Sequence, residues 1–262
     1  MIKSKLALSV LFIVLIGLFA FLSREKSSTI FLIGDSTMAD YENYGEDYMK
    51  TRYPMTGWGQ VFQEFVTPQN IVGVPLLSHL DSVKVDNRAR GGRSTRTYFE
   101  EGRWSAVYQE LKEGDFVLMQ FGHNDASEKN PERYVNTEGY KEYLRLFVNQ
   151  SREKSATPII ITPVSRNYPW KDDKLGNVHG EYYTAAIEVA NELNVYLVDL
   201  TQLSMQHFTA KGRDYVTNNY FMNFEAGLYE AYPEGSNDNT HFQPEGAKVV
   251  AELVYNSLKT LR

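Results

Sequence analysis

Ser36 stands in Gly34-Asp35-Ser36-Thr37-Met38, directly behind the apolar run Ile30-Phe31-Leu32-Ile33. Such a run, without alternation, reads as a strand covered on both faces. Glycine permits a tight exit, so the Ser36 hydroxyl is presented at the strand's carboxyl end, the edge on which open α/β sheets build their sites. Taken alone, the triplet reads equally as a helix-capping turn. Near the other end of the chain, Asp238-Asn239-Thr240-His241 puts a carboxylate three residues before an imidazole in one expected loop. That spacing lets Asp238 accept the Nδ1 proton and leaves Nε2 free as a base, the arrangement that activates a hydroxyl nucleophile. An isolated Asp-x-x-His is also common on surface loops.

Two further segments supply what acyl transfer needs beyond a nucleophile and a base. Asn87-Arg88-Ala89-Arg90-Gly91-Gly92-Arg93-Ser94 follows a short strand at Val83-Lys84-Val85, and its paired glycines allow close backbone approach, so that a peptide N–H can point toward a developing negative charge. Gly122-His123-Asn124-Asp125 follows the strand pattern Asp115–Phe121, which sets Asn124 on the same sheet edge as Ser36 if the two strands are parallel neighbours. A carboxamide there is a neutral donor able to hold an oxyanion without acting as a base. Each segment also has a plainer reading, as a glycine loop and as an Asx turn. The rival groups are weaker. His123 is expected to be structural because strand alternation turns it away from Asn124's side, and His79, His179 and His207 are expected in loops or on the surface. Ser94 competes with Ser36 as a hydroxyl. No Gly-x-Ser-x-Gly elbow occurs, which argues against the ordinary α/β-hydrolase lipase arrangement.

With these residues in this order, the chain from Thr29 onward resembles the SGNH or GDSL-type hydrolases, and within them the rhamnogalacturonan acetylesterase group. Gly34–Met38 is similar to the family's first block, Gly92 to the second block's glycine, Asn124 to the third block's asparagine, and Asp238 with His241 to the fifth block. Gly57-Trp58-Gly59, Gly92-Arg93-Ser94 with Arg96, and Asn167-Tyr168-Pro169-Trp170 narrow the resemblance to the acetylesterase branch. The resemblance implies Ser36, Asp238 and His241 as catalytic residues and an oxyanion hole from Ser36, Gly92 and Asn124. It also implies candidate substrate contacts at Arg93, Tyr168 and Trp170, and no metal or other cofactor. The expected activity is removal of acetyl groups from plant cell-wall polysaccharide, rhamnogalacturonan or pectin, by an exported serine esterase. The alternatives are an acetylxylan or other sugar-ester esterase, and a noncatalytic carbohydrate-binding protein. The long aromatic stretch 212–237 departs from the family pattern.

The elements that must position these groups alternate along the chain. Strands are expected near 29–34, 83–87, 115–121, 158–162 and 195–199, and helices near 57–66, 103–112, 138–154, 180–193 and 245–260. That alternation predicts a single α/β domain over 27–262, doubly wound and flavodoxin-like, with a central five-stranded parallel sheet flanked by helices. Residues 1–26, with Lys3 and Lys5 ahead of the apolar run 6–22, read as a secretory signal peptide or an N-terminal membrane anchor, hence export to the periplasm, cell surface or medium.

Composition excludes several other functions. The absence of cysteine rules out disulfides, a thiolate nucleophile and a lipobox. With 27 basic and 33 acidic residues the net charge is −6, so nucleic acid is not an expected partner. The five histidines stand too far apart for the short spacing of a metal-dependent deacetylase. Arg88, Arg90, Arg93 and Arg96 nevertheless form a local basic cluster, read either as paired with carboxylates or as touching an acidic sugar. The aromatic residues Tyr41, Tyr44, Tyr48 and Tyr53, and a second group from Tyr220 to Tyr232, fall in expected loops where rings can pack locally or stack on pyranose faces.

Overall fold

The computed structural model describes residues 25–261, so the apolar run 6–22 expected to be a signal or anchor lies outside the described residues. Five strands pair in parallel: β1 (Ser27–Gly34), β2 (Ser82–Asn87), β3 (Phe116–Gln120), β4 (Thr157–Ile161) and β5 (Tyr196–Val198). Their order is β2-β1-β3-β4-β5, the flavodoxin-like winding, and chain direction across the sheet reverses its progress between β1 and β3. Loops leaving those two strands therefore diverge and open a crevice at their carboxyl ends.

Helices cover both faces because successive side chains of a strand point to opposite sides. Ile30 and Leu32 pack into one layer with Trp58, Phe62 and the apolar stripe Val250 and Val254 of α7 (Pro244–Leu258). Phe31 and Ile33 pack into the other, with Tyr98 of α1 (Thr95–Glu100), Trp104 of α2 (Arg103–Glu110), Phe147 of α3 (Thr137–Glu153) and Val189 of α4 (Glu181–Glu192). Each of these large side chains is essentially fully buried, and burial of one contributes about 1.5–3 kcal/mol.

Several expectations are corrected. The stretch 57–66 is not a continuous helix but two 3-10 turns, Trp58–Gln60 and Phe62–Glu64. The chain here must pass very close to the segment after β1, with the N–H groups of Trp58 and Gly59 donating to the carbonyls of Thr37 and Met38. The stretch 212–237 holds more regular structure than expected. After α5 (Leu200–Lys211) come α6 (Arg213–Asn219) and an antiparallel hairpin of β6 (Phe221–Phe224) and β7 (Ser236–Phe242). Its aromatic residues are not all loop rings: Tyr220 and Phe221 are buried, packed with Phe242 against Phe208 of α5 and against α7. Asp238–His241, expected to be a loop, lies inside β7. Phe221 pairs with Phe242 while Met222 pairs with Asp238, so Asn239, Thr240 and His241 bulge from the ladder.

Gly57 marks the tightest approach behind the site. A Cβ there would meet the Ala39 carbonyl oxygen at 2.2 Å and its nitrogen at 2.6 Å, both backbone atoms that cannot swing away. Gly57→Ala is expected to destabilise the fold by about 1–3 kcal/mol, as overpacking of a filled interior does; an unchanged urea midpoint would contradict this packing.

Candidate active site

The turn after β1 is fixed by a chain of buried polar contacts. Trp58 Nε1 donates to Gln120 Oε1 at 3.0 Å, and Gln120 Nε2 donates to Thr37 Oγ1 at 2.6 Å. Thr37 in turn donates through both its backbone N–H and its hydroxyl to Asp35 Oδ1, each at 2.9 Å. Burial raises the Asp35 carboxyl above its ordinary value, against the lowering effect of the two Thr37 bonds. The Tyr41 hydroxyl donates to the Ser36 carbonyl at 2.9 Å. Ser36 is thus held from both sides, with its hydroxyl facing the crevice.

β7 meets it there. Asp238 Oδ1 accepts the backbone N–H of Thr240 at 2.8 Å and of His241 at 3.1 Å, an Asx turn that shapes the bulge. The bulge re-aims His241, as bulges beside active sites do. His241 Nδ1 donates to Asp238 Oδ2 at 2.6 Å, and the Ser36 hydroxyl donates to His241 Nε2 at 2.8 Å across 205 residues of sequence. The tautomer follows from charge: an ionised Asp238 can only accept, so Nδ1 carries the proton and Nε2 offers its lone pair. Burial pushes the Asp238 carboxyl up, but the hydrogen bond and charge of His241, with the two backbone donors, outweigh it and bring it down to about 2.

Gly92 and Asn124 close the other side. Beyond β2 the chain stays zipped to β1, with the N–H of Arg88 on the Leu32 carbonyl and that of Arg90 on the Gly34 carbonyl, which carries Gly91-Gly92 alongside Ser36. Gly92 has φ +80°, a left-handed conformation natural to glycine, and the backbone N–H groups of Ser36 and Gly92 have no protein acceptor among the described residues. Asn124 spends one amide donor on the Arg93 carbonyl at 3.0 Å, leaving its other N–H for the cleft. Asp125, which sequence reasoning did not single out, clamps the two loops together. Its carboxylate accepts the backbone N–H and hydroxyl of Thr95 at 2.9 and 2.6 Å and the Gly122 N–H at 3.1 Å. Burial raises this carboxyl to about 7 despite those donors. The sequence signal for it was its place three residues after Gly122, in the turn that follows a buried strand.

The five expected groups of Ser36, Gly92, Asn124, Asp238 and His241 are therefore brought together, and four of them line a cleft of about 560 Å³, with Asp238 behind His241. Five arginines, Arg52, Arg90, Arg93, Arg133 and Arg166, line it too, and no aspartate or glutamate does. Only two of these belong to the basic cluster seen in the sequence. Of the rest of that cluster, Arg88 pairs with Asp86 and Glu110, and Arg96 with Glu100 and the carbonyls of Pro131 and Glu132. Arg93 lines the cleft while its Nε is paired with Glu101 at 3.0 Å. Arg90 lies over the Tyr44 ring at 3.5 Å, and Arg166 bonds to Thr240 Oγ1 and the His123 carbonyl. Tyr168 and Trp170 are not in this cleft; they line a neighbouring cavity.

The rivals sort differently from one another. Ser94 is buried and caps α1 in a reciprocal pair with Thr97. His179, expected in a loop or at the surface, does lie in the loop ahead of α4, but it is buried there, and its Nε2 donates to the Val164 carbonyl at 2.8 Å. Its ring meets that of buried His123 edge-on at 4.7 Å. Burial lowers His179 to about 4, partly offset by the Val164 bond. Burial, the neighbouring His179 and Arg166 hold His123 well below its ordinary value. Among the described residues no group of three or more potential ligands gathers to hold a metal ion.

The family of GDSL-like lipases/acylhydrolases matches residues 30–254 of the chain. The chain is 33% identical over 237 residues to the rhamnogalacturonan acetylesterase RhgT of Bacillus subtilis (strain 168), covering 90% of this chain and 92% of that protein. It is 38% identical over 234 residues to the probable rhamnogalacturonan acetylesterase YesY of the same organism, covering 88% and 93%. Among solved structures, protein YxiM from Bacillus subtilis superposes with a TM-score of 0.71 at 25% identity, over 90% of this chain and 57% of that one.

Because a neutral imidazole is the state that burial enforces, NMR titration of the ring protons should find His179 titrating near 4 and His123 titrating well below the ordinary histidine value. A midpoint near 6.5 for either would show that ring to be solvated rather than enclosed.

Proposed function

This chain belongs to the GDSL-like lipase/acylhydrolase family and is a serine esterase of the SGNH type, and from that premise we propose that it removes acetyl groups from an acidic pectic polysaccharide, rhamnogalacturonan, outside the cytoplasm. The observation that carries the choice of substrate is the arginine-lined cleft. A chain of net charge −6 surrounds its reactive serine with five guanidinium groups and no carboxylate, and two of them, Arg90 and Arg166, have no carboxylate partner among the described residues. A guanidinium fork matches a uronate carboxylate in charge and in bidentate geometry. A neutral xylan backbone would leave that charge unused. The similarity to the two named acetylesterases supports the same reading, and the basic-then-apolar N-terminus supports export.

In the proposed reaction Ser36 Oγ attacks the ester carbonyl as His241 Nε2 takes its proton. Asp238, ionised down to about pH 2, balances the imidazolium and keeps the ring in its working tautomer. The oxyanion of the tetrahedral intermediate is received by the free N–H groups of Ser36 and Gly92 and by the Asn124 amide. His241 returns the proton to the departing sugar oxygen, leaving Ser36 acetylated. Water then attacks that ester with His241 again as base, and acetate leaves.

Ser36→Ala or His241→Ala should lower turnover of an aryl acetate by about 10⁴–10⁶, and Asn124→Ala by about 10²–10³. Equal activity of wild type and Ser36→Ala would refute the assignment of the nucleophile. Acetate release should be faster from acetylated rhamnogalacturonan than from acetylated xylan; release from xylan alone would overturn the pectic reading and leave the esterase standing.

A further inference from the structure

A second cavity of about 430 Å³ opens beside the arginine-lined cleft. The two share no lining residue, yet the wall between them is one residue thick. Arg166 and Thr240 line the cleft, and their sequence neighbours Asn167 and Asn239 line the second cavity. Cross-bonds tie the two segments into that wall: Arg166 Nη1 donates to Thr240 Oγ1 at 2.6 Å, Asn167 Nδ2 to Asn239 Oδ1 at 2.8 Å, and the Asn167 backbone N–H to the Asn239 carbonyl at 2.9 Å. A single extended ligand held at Ser36 needs only to cross this ridge to enter the second space.

The chemistry on the two sides differs. In place of five arginines, the second cavity presents carboxamides, hydroxyls and two aromatic rings, with Arg213 and Asp214 on its rim cancelling in charge. Asn167, itself buried, is saturated by its neighbours: Nδ2 serves Thr217 Oγ1 and Asn239 Oδ1, and Oδ1 accepts from Trp170 Nε1 at 2.9 Å. Those bonds fix the Trp170 indole in place. Asn218 and Asn237 are exposed; the Asn218 amide has no intramolecular partner among the described residues, and Asn237 has only a marginal contact of 3.5 Å from Asn239. Free carboxamides, each donor and acceptor together, beside a prefixed indole and the exposed Tyr168 ring suit the hydroxyl edge and the C–H face of a pyranose. Nothing there would hold a carboxylate apart from Arg213, which Asp214 adjoins.

We propose that this cavity is a subsite for an uncharged sugar residue of the same glycan whose acetylated residue sits at Ser36, so that the enzyme reads a chain alternating acidic and neutral units across the Arg166–Thr240 ridge. The proposal rests on the glycan esterase reading above. Pre-formed contacts on a second sugar lower KM for chains long enough to reach them and leave the chemistry of the ester unaltered.

The test is a length series of acetylated rhamnogalacturonan oligosaccharides, from monosaccharide to tetrasaccharide, beside an aryl acetate, on the full protein and on N218A/N237A and Y168A. All three substituted side chains are exposed, and circular dichroism with thermal melting verifies that each variant folds. For wild type, kcat/KM is expected to rise by about tenfold or more between the acetylated monosaccharide and the longer chains, carried by KM, the equivalent of one good polar contact set. In N218A/N237A and in Y168A that gain shrinks to about threefold or less, with kcat on the longer chains retained. A flat wild-type series, or variants that keep the full gain, overturns the subsite alone. Turnover of the aryl acetate with none of any acetylated oligosaccharide overturns the glycan reading and the subsite with it.

Discussion

The contact between the Ser36 hydroxyl and His241 Nε2 joins the first strand of the sheet to the last hairpin of the chain, and nearly every other feature of the crevice serves to hold its two ends still. A single hydrogen bond contributes about 0.5–1.5 kcal/mol net, far too little to close a loop of that length by itself. The closure is made elsewhere. Phe221 and Phe242 bury the hairpin against Phe208 and α7, the Thr56 N–H donates to the Phe242 carbonyl, and Gln243 Nε2 donates to the Phe221 and Asn218 carbonyls. Gly246 lets α7 lie directly on Tyr220, where a Cβ would meet the carbonyl oxygen at 2.3 Å. Apolar burial thus supplies the free energy, and the polar contact at Ser36 inherits a fixed geometry.

Electrostatics in the crevice are arranged by exclusion as much as by pairing. Two buried imidazoles, His123 and His179, stand beside Arg166 and are kept neutral by desolvation, so the guanidinium meets no competing cation in its own wall. The carboxylates lie behind the surface. Asp238 faces His241, Asp125 is enclosed by Thr95 and Gly122, and Asp35 by Thr37. Of these only Asp238 has its proton affinity lowered, because a donor cation can form against it. The outcome is a cleft whose reachable charge is positive in an acidic protein.

Much of the arrangement was legible in the chain because strands covered on both faces announce themselves as unbroken apolar runs, and their carboxyl ends are where Gly34-Asp35-Ser36 and Gly122-His123-Asn124 occur. All five sheet strands fall where the runs put them, to within two residues or so. The misreadings share a cause, which is long-range pairing. Ser236–Thr240, the first five residues of β7, is built of serine, asparagine, aspartate and threonine and has no strand pattern; it is a strand because Phe221–Phe224 pairs with it. The stretch 57–66 has helical spacing but is broken into tight turns by its approach to Met38 and Ala39. His179 carries no neighbouring signal of burial, and only the meeting of the α4 end with Val164 and His123 encloses it.

Sequence by itself determined the chemistry on offer: a hydroxyl after a buried strand, an imidazole three residues from a carboxylate, a glycine loop and a carboxamide, in a chain without cysteine. It determined too that a parallel sheet would carry them, since hydrophobic periodicity is a local property. Tertiary structure alone decided which cations share the crevice. Arg52, Arg133 and Arg166 are scattered along the chain and converge only through folding, while Arg88 and Arg96, adjacent to the glycine loop in sequence, turn away to partners of their own. It also decided that Tyr168 and Trp170 face a separate cavity, because a wall one residue thick is made by cross-bonds between segments that only the hairpin's return brings side by side.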